Sequence, residues 1–241
     1  MFLKLAILNN SGNVGKSTVC QTMLLPRLEN AEIVRVETIN NDGTSDEKMS
    51  AKEFDEIMKK IDETDVSIID IGASNIETFF VKMNDYKGSH DLIDYYLIPV
   101  LPAKKQQLDS ISTVESLIDL GVDIDSIKFI FNMANKDKSI EKQYHLIFEN
   151  STCSKIAYNN KPAVIYQTDL FDVLSKNKLN YDDVYNDNRD IKSLIRSAST
   201  REERSELSNL RAIKMLMNGF NADLDVAFHN LNLVNDSKVI L

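Results

Sequence analysis

The chain has 241 residues, 43% of them hydrophobic and 27% charged, with a formal net charge of −9. That composition describes a globular protein long enough for one α/β domain with appended helices, and its acidity excludes a protein whose whole surface binds nucleic acid. Cys20 and Cys153 stand far apart without neighbouring histidines, which excludes a disulfide framework and a zinc site and fits a reducing cytoplasm; no apolar run has the length of a signal peptide or a membrane span.

The first apolar run, Leu5-Ala6-Ile7-Leu8, reads as a buried strand and leads directly into Asn10-Ser11-Gly12-Asn13-Val14-Gly15-Lys16-Ser17-Thr18. Strand, glycine loop and Gly-Lys-Ser in that order match the phosphate-loop pattern G-x-x-x-x-G-K-[ST], with Asn10 at the first glycine. Asn is the next-best residue for a left-handed backbone, so the change is mild. Gly12 and Gly15 let backbone N–H groups close around anionic oxygens. Lys16 would set an ammonium near the β and γ phosphates, Ser17 would ligate Mg²⁺, and Thr18 would donate to the α-phosphate. Residues 17–27 are expected to form a helix whose N-terminal dipole favours a phosphate.

Five further apolar runs read as strands: Ile33–Val36, Val66–Ile69, Tyr95–Val100, Ile127–Phe131 and Ala163–Tyr166. Polar, helix-periodic segments separate them, which predicts a mostly parallel sheet covered on both faces. Residues 103–120 carry the helical period through Leu108, Ile111, Val114, Leu117 and Ile118 and end at Gly121. After about residue 168 the strands stop. Thr200 and Glu203 form a capping box opening a helix with Leu207, Leu210, Ile213 and Met217 on one face, expected to close at Gly219, with a last helix over 221–233. One domain is expected, with a core over about 1–175 and a helical C-terminal extension over about 176–241.

Three strand ends carry chemistry. Asp70 closes Val66-Ser67-Ile68-Ile69 and precedes Ile71-Gly72. It reads as the carboxylate that holds the water shell of Mg²⁺, or as a cap for the next helix. Glu37 closes Val34-Arg35-Val36, at the ligand end of a parallel sheet; it could orient water, or pair with a lysine in a solvated loop. Asn132 follows Ile127–Phe131, and an amide that donates and accepts suits the adenine edge. Asn132-Met133-Ala134-Asn135-Lys136-Asp137 lacks the spacing of the guanine-reading Asn-Lys-x-Asp, which favours ATP over GTP. The stretch 189–214 holds seven basic and four acidic residues; it reads as a DNA-contacting surface or as an ion-paired helix face.

In order and spacing, residues 11–18, Glu37, Ile68-Ile69-Asp70-Ile71-Gly72, Ile98–Pro102 and Phe131-Asn132 resemble the ParA/MinD group of P-loop ATPases over about residues 1–175. More narrowly, Asn9–Lys16, Asp70–Asn75 and Pro102-Ala103-Lys104-Lys105-Gln106-Gln107 resemble the StbB-type plasmid stability proteins. The resemblance implies a three-layer fold, binding of ATP or ADP with Mg²⁺, a nucleotide-dependent homodimer, and slow hydrolysis stimulated by a partner. It implies a small DNA-binding partner protein and a role in plasmid stability, partition, positioning or conjugation. Lys16, Glu37 and Asp70 would then be the catalytic set, Ser11 to Thr18 and Asn132 the nucleotide contacts, and Ser17 and Asp70 the metal set. The group's signature lysine, which reaches across the dimer, falls at Ser11, the second loop glycine at Asn13, and a second acidic residue at Ile39. These departures leave nucleotide binding intact and weaken dimer-coupled hydrolysis, so a nucleotide-dependent binding protein with negligible turnover is the alternative. Lys104 or Lys105 is a possible substitute for the missing charge, against a solvated helix start for both.

Overall fold

The computed structural model describes residues 2–37, 48–159 and 161–233; Ile39 lies outside the described residues. β1 (Leu3–Ile7) runs into the glycine loop. The helix after the loop begins as α1 (Lys16–Val19), widens into a π turn over Cys20–Leu24 and tightens into a 3-10 turn over Leu25–Arg27. Next come β2 (Ala31–Val36), β3 (Lys48–Met49), α2 (Phe54–Asp62), β4 (Val66–Ile71), α3 (Ile76–Asp85), β5 (Tyr95–Val100), α4 (Lys104–Asp119) and β6 (Ile127–Ala134). Three short helices, α5 (Ile140–Gln143), α6 (His145–Glu149) and α7 (Cys153–Asn159), lead to β7 (Ala163–Tyr166), and α8 (Leu170–Lys176), α9 (Tyr181–Tyr185), α10 (Ile191–Ser197) and α11 (Arg201–Leu231) complete the chain order.

The described strands form one seven-stranded sheet in the order β3-β2-β4-β1-β5-β6-β7, and each pairing is parallel. β1 lies between β4 and β5, with Ile7 level with Asp70 on one side and Leu97 on the other. Parallel pairing brings the carboxyl ends of the strands to one edge, and the direction of winding changes beside β1, where open α/β sheets leave a crevice. The glycine loop, Glu37 and Asp70–Gly72 therefore meet at that edge. The strands read as continuous apolar runs because both faces are covered. One face packs on α2, α3, α4, α6 and α7 through Phe54, Ile57, Phe79, Val114, Tyr144 and Ile156. The other packs on α1, α8 and α11 through Val19, Met23, Leu170, Met217 and Leu224.

Four sequence expectations change. The short strand β3, Lys48–Met49, had no apolar run to announce it. β6 continues past Phe131 to Ala134, with a register shift between Asn132 and Ala134. The C-terminal segment is one helix, α11, that passes through Gly219 to an Asn232 cap at φ 49. Gly219 has no contact on its open side within 4 Å; it sits on the solvent face of a helix held by the packing of Ile213, Met217, Phe220, Leu224, Ala227 and Leu231, which outweighs one glycine's cost of about 1 kcal/mol. In α4, Leu108 and Ile118 are exposed, while Gln107, Ser110 and Thr113 are buried beside Val114 and Leu117. Gly121 does end that helix, at φ 95. Its N–H donates to the Ile118 carbonyl and that of Val122 to the Leu117 carbonyl, the paired closure that a left-handed residue permits.

Candidate functional site

The glycine loop wraps the carboxyl end of β1. Gly15 caps α1 at φ 89 and Asn13 stands at φ 57, both in the left-handed region. Those two residues turn the backbone sharply into α1, the kind of turn that lets loop and first-turn N–H groups converge on an anion. Val14 is buried and anchors the loop from below, whereas Gly12, Asn13, Ser17 and Thr18 are exposed. Lys16 lies along the loop, its Nζ donating to the carbonyls of Asn9 at 3.3 Å and Ser11 at 3.2 Å. Burial lowers the Lys16 pKa, and Asp70, Cys20 and Glu37 oppose that shift; the ammonium is thus held next to the loop by weak, long bonds to neutral oxygens.

Asp70 ends β4 directly behind the loop and is 3% exposed. Its Oδ2 is the buried side-chain polar atom that has no hydrogen-bond partner among the described residues. Burial pushes the Asp70 pKa up; the Ser17 side chain and the Lys16 ammonium pull it down, Glu37 raises it further and Arg35 lowers it. A buried carboxylate oxygen without a partner is costly. Its position beside the Ser17 hydroxyl fits Mg²⁺ with its water shell, where the metal's charge and the water protons supply what the protein does not. No group of three or more His, Cys, Asp and Glu side chains suited to a metal occurs among the described residues; Ser17 and Asp70 are the residues here that could hold one.

Glu37 follows β2, its N–H donating to the Met49 carbonyl at 2.9 Å. A Cβ at Gly72 would lie 3.5 Å from Cγ of Glu37 and 3.2 Å from the Val36 carbonyl, so Gly72 is what lets β4 and β2 approach at this edge. Glu37 acts electrostatically on both Lys16 and Asp70. The structure thus gathers Lys16, Ser17, Glu37 and Asp70 at one place. Ser11 is placed differently: it is 2% exposed, under the loop, and its N–H donates to Asn9 Oδ1 at 2.8 Å.

Asn132 faces the loop from the opposite side. Its Nδ2 donates to the Val14 carbonyl at 2.9 Å and its Oδ1 accepts from the N–H of Met133 at 2.9 Å. A Cβ at Gly15 would approach Asn132 Nδ2 to 2.5 Å, which adds a second reason for glycine there. By valence the amide keeps one N–H and one lone pair for a ligand. Asn132 also lines a cavity of about 330 Å³ that opens from Gly15 and Thr18 between α1 and the ends of β6 and β7, walled by Met133, Tyr166, Phe171 and Phe220. Sequence reading did not find these walls, which come from four separate segments. No sequence pattern announced the bulge at Met133, which has φ 56 and is 56% exposed; such a bulge re-aims a strand's side chains.

Beyond the site, the basic stretch 189–214 is partly neutralised by a residue just outside it. Arg189 Nε and a guanidinium nitrogen each donate to the Asp187 carboxylate at 2.9 Å, and Lys214 Nζ bonds to the Asp187 carbonyl. The Arg189 contact holds the Asp187 carboxyl well below the usual range. Among the described residues no helix is long and apolar enough to cross a membrane.

Neither a family model nor a curated protein matches the chain. Among solved structures it is similar to apo McdA from Cyanothece, at 13% identity over 88% of this chain and 99% of that one, with a TM-score of 0.49. A putative plasmid partition protein of Borrelia burgdorferi B31 bound to AMPPNP is similar at 14% identity, 89% and 99% coverage and a TM-score of 0.47. An ATP complex of a single-substitution variant of Cyanothece McdA is similar at 13% identity, 90% and 96% coverage and a TM-score of 0.46. The strand order and the loop geometry identify the phosphate-loop fold independently of these likenesses.

Proposed function

We propose that this chain is a ParA/MinD-type ATPase that binds ATP with Mg²⁺ and uses the nucleotide as a switch in positioning, partition or plasmid stability. The observation that carries the reading is the Asp70 oxygen left without a partner beside Ser17, behind a loop whose Asn13 and Gly15 take left-handed turns. In this reading the loop amides and Lys16 bind phosphate, with Lys16 leaving the Asn9 and Ser11 carbonyls for the ligand. Ser17 would bind the metal directly and Asp70 through water, the metal supplying charge neutralisation on the phosphates. Glu37 would orient water, Thr18 would reach the α-phosphate, and the base would enter the cavity beside Asn132. The partners that fit the reading are a second copy of the chain, closing over the nucleotide, and a small DNA-bound protein. Its setting would be the cytoplasm.

One observation favours a second reading, a nucleotide-dependent binding protein with negligible turnover. Position 11 carries a serine buried under the loop, so no side chain there can reach a second subunit's phosphates. Electrostatic stabilisation of the transferring phosphoryl group is the chief catalytic term in this chemistry, and one source of it is missing.

Both readings require nucleotide binding. Titration with Mg·ATP is expected to raise the unfolding temperature of the native chain, by about 2.7 kcal/mol of stabilisation at a hundredfold excess over Kd, and Lys16→Ala is expected to abolish the rise. An equal rise in Lys16→Ala would remove the phosphate-loop assignment. Single-turnover hydrolysis with and without the small DNA-binding partner protein separates the two readings: background turnover under both conditions leaves only the binding protein.

A further inference from the structure

We propose that Asn9, a residue that would not touch the nucleotide, is a positioning residue for the phosphate loop and couples that loop to α4. The inference rests on the nucleotide reading above. Asn9 is fully buried between β1 and the loop, and its side-chain amide and its carbonyl each have a defined task. Oδ1 accepts from the Ser11 N–H at 2.8 Å, which starts the turn. Nδ2 donates to the Pro99 carbonyl at 2.8 Å, at the end of β5, and to Ser110 Oγ at 2.7 Å, on α4. Its backbone carbonyl receives Lys16 Nζ. The next residue repeats the link, the Asn10 N–H donating to Thr113 Oγ1 at 3.1 Å.

The polarity of this network is set from the helix. Ser110 Oγ and Thr113 Oγ1 donate to the carbonyls of Gln106 and Asp109, each at 2.7 Å. With their hydrogens committed to α4, both hydroxyls can present only lone pairs to the loop. A residue at position 9 must then offer two N–H groups toward Pro99 and Ser110 and one acceptor toward Ser11. Among side chains of this length only an amide does so. This explains why α4 buries hydroxyls where its hydrophobic period predicted Leu108 and Ile118. It also gives α4 a lever on the loop: a shift of the helix moves Asn9, and with it the Ser11 amide and the carbonyl on which Lys16 rests until nucleotide binds.

The test measures Mg·ATP affinity by titration calorimetry in the full chain, alongside the unfolding temperature without ligand. Ser110→Ala is the mild variant, because it leaves Asn9 in place and takes away one acceptor; Asn9→Ala is the severe one. Gln107→Ala is the control. Gln107 is equally buried on the same helix face and bonds Pro102, Gln143 and Leu146, away from the loop. A merely structural role predicts that affinity follows the loss of unfolding temperature in all three. Positioning predicts at least a tenfold loss of affinity in Ser110→Ala and Asn9→Ala, about the same loss in the double variant, and less than a twofold change in Gln107→Ala at a similar loss of melting temperature. Unchanged affinity in Ser110→Ala, or a Gln107→Ala loss equal to it, overturns the inference while leaving the nucleotide site standing. Absence of Mg·ATP binding by the unaltered chain overturns the nucleotide reading, and this inference with it.

Discussion

Asp70 is buried by the same strand that delivers it, and folding pushes its pKa above the ordinary 3.8 chiefly through desolvation. A carboxyl with a raised folded pKa binds more protons folded than unfolded between the two values. Its contribution to stability is therefore present in full below pH 3.8 and lost as the pH rises through the folded value. At neutral pH the ligand-free protein carries that cost. Asp70→Asn is expected to raise the ligand-free unfolding temperature at pH 7 by about 2–4 °C, equivalent to about 1 kcal/mol for a chain of this size. The gain should shrink toward pH 4, and the variant should lose the magnesium-dependent part of its protection by ATP. Melting curves at pH 7 and pH 4, with and without Mg·ATP, check all three; a lower melting temperature at pH 7 would show that the charge is compensated without a ligand. The meeting of the loop with Asp70 and Glu37 was legible in advance, because the phosphate-loop pattern sets Gly, Lys and Ser at fixed offsets after a strand and parallel pairing brings strand ends to one edge. Asn132 was legible as a strand-end amide, but its bond to Val14 was not, since 118 residues separate them.

At the scale of elements, strands were legible wherever both faces are buried, since a continuous apolar run then marks them. β3 had no such run. Helix α4 misled the hydrophobic period because its inner face meets the polar start of the loop as well as the core, so hydroxyls and an amide replaced apolar residues there. The helix after the loop shows another override. Its π turn and 3-10 turn are locked by Arg27, whose guanidinium donates to the carbonyls of Thr22 at 2.9 Å, Met23 at 3.1 Å and Asn221 at 3.1 Å, and whose Nε donates to Asp225 at 2.8 Å. A cation at the carbonyl end of a helix is favourable, and here it also ties that helix to α11. Gly219, read from sequence as a terminator, lies mid-helix with open space around it. Gly219→Ala is accordingly expected to stabilise the protein by about 1 kcal/mol, read as a rise of about 2–4 °C in melting temperature. A fall would mean that a helix break at 219 is part of the functioning molecule.

For the whole molecule, the decisive feature is where α11 lies. The segment beyond residue 175 packs on the same sheet as the glycine loop's helix, and Phe220 reaches the wall of the cavity beside Asn132. Ile213, Met217, Phe220, Leu224 and Leu231 at about 2 kcal/mol each amount to about 10 kcal/mol, the size of a domain's entire net stability. Deleting residues 200–241 is therefore expected to abolish cooperative unfolding and to leave an aggregating chain; a soluble truncated chain with a sharp melting transition would overturn that. The order of strand, glycine loop, lysine and strand-end carboxylate lay open in the linear chain, since it is written in local patterns whose spacing the backbone geometry dictates. The docking of α11, the polar inner face of α4 and the wall of the cavity beside Asn132 were settled only by the folded sheet, because each depends on side chains from distant segments competing for one surface, and no local period records which of them wins.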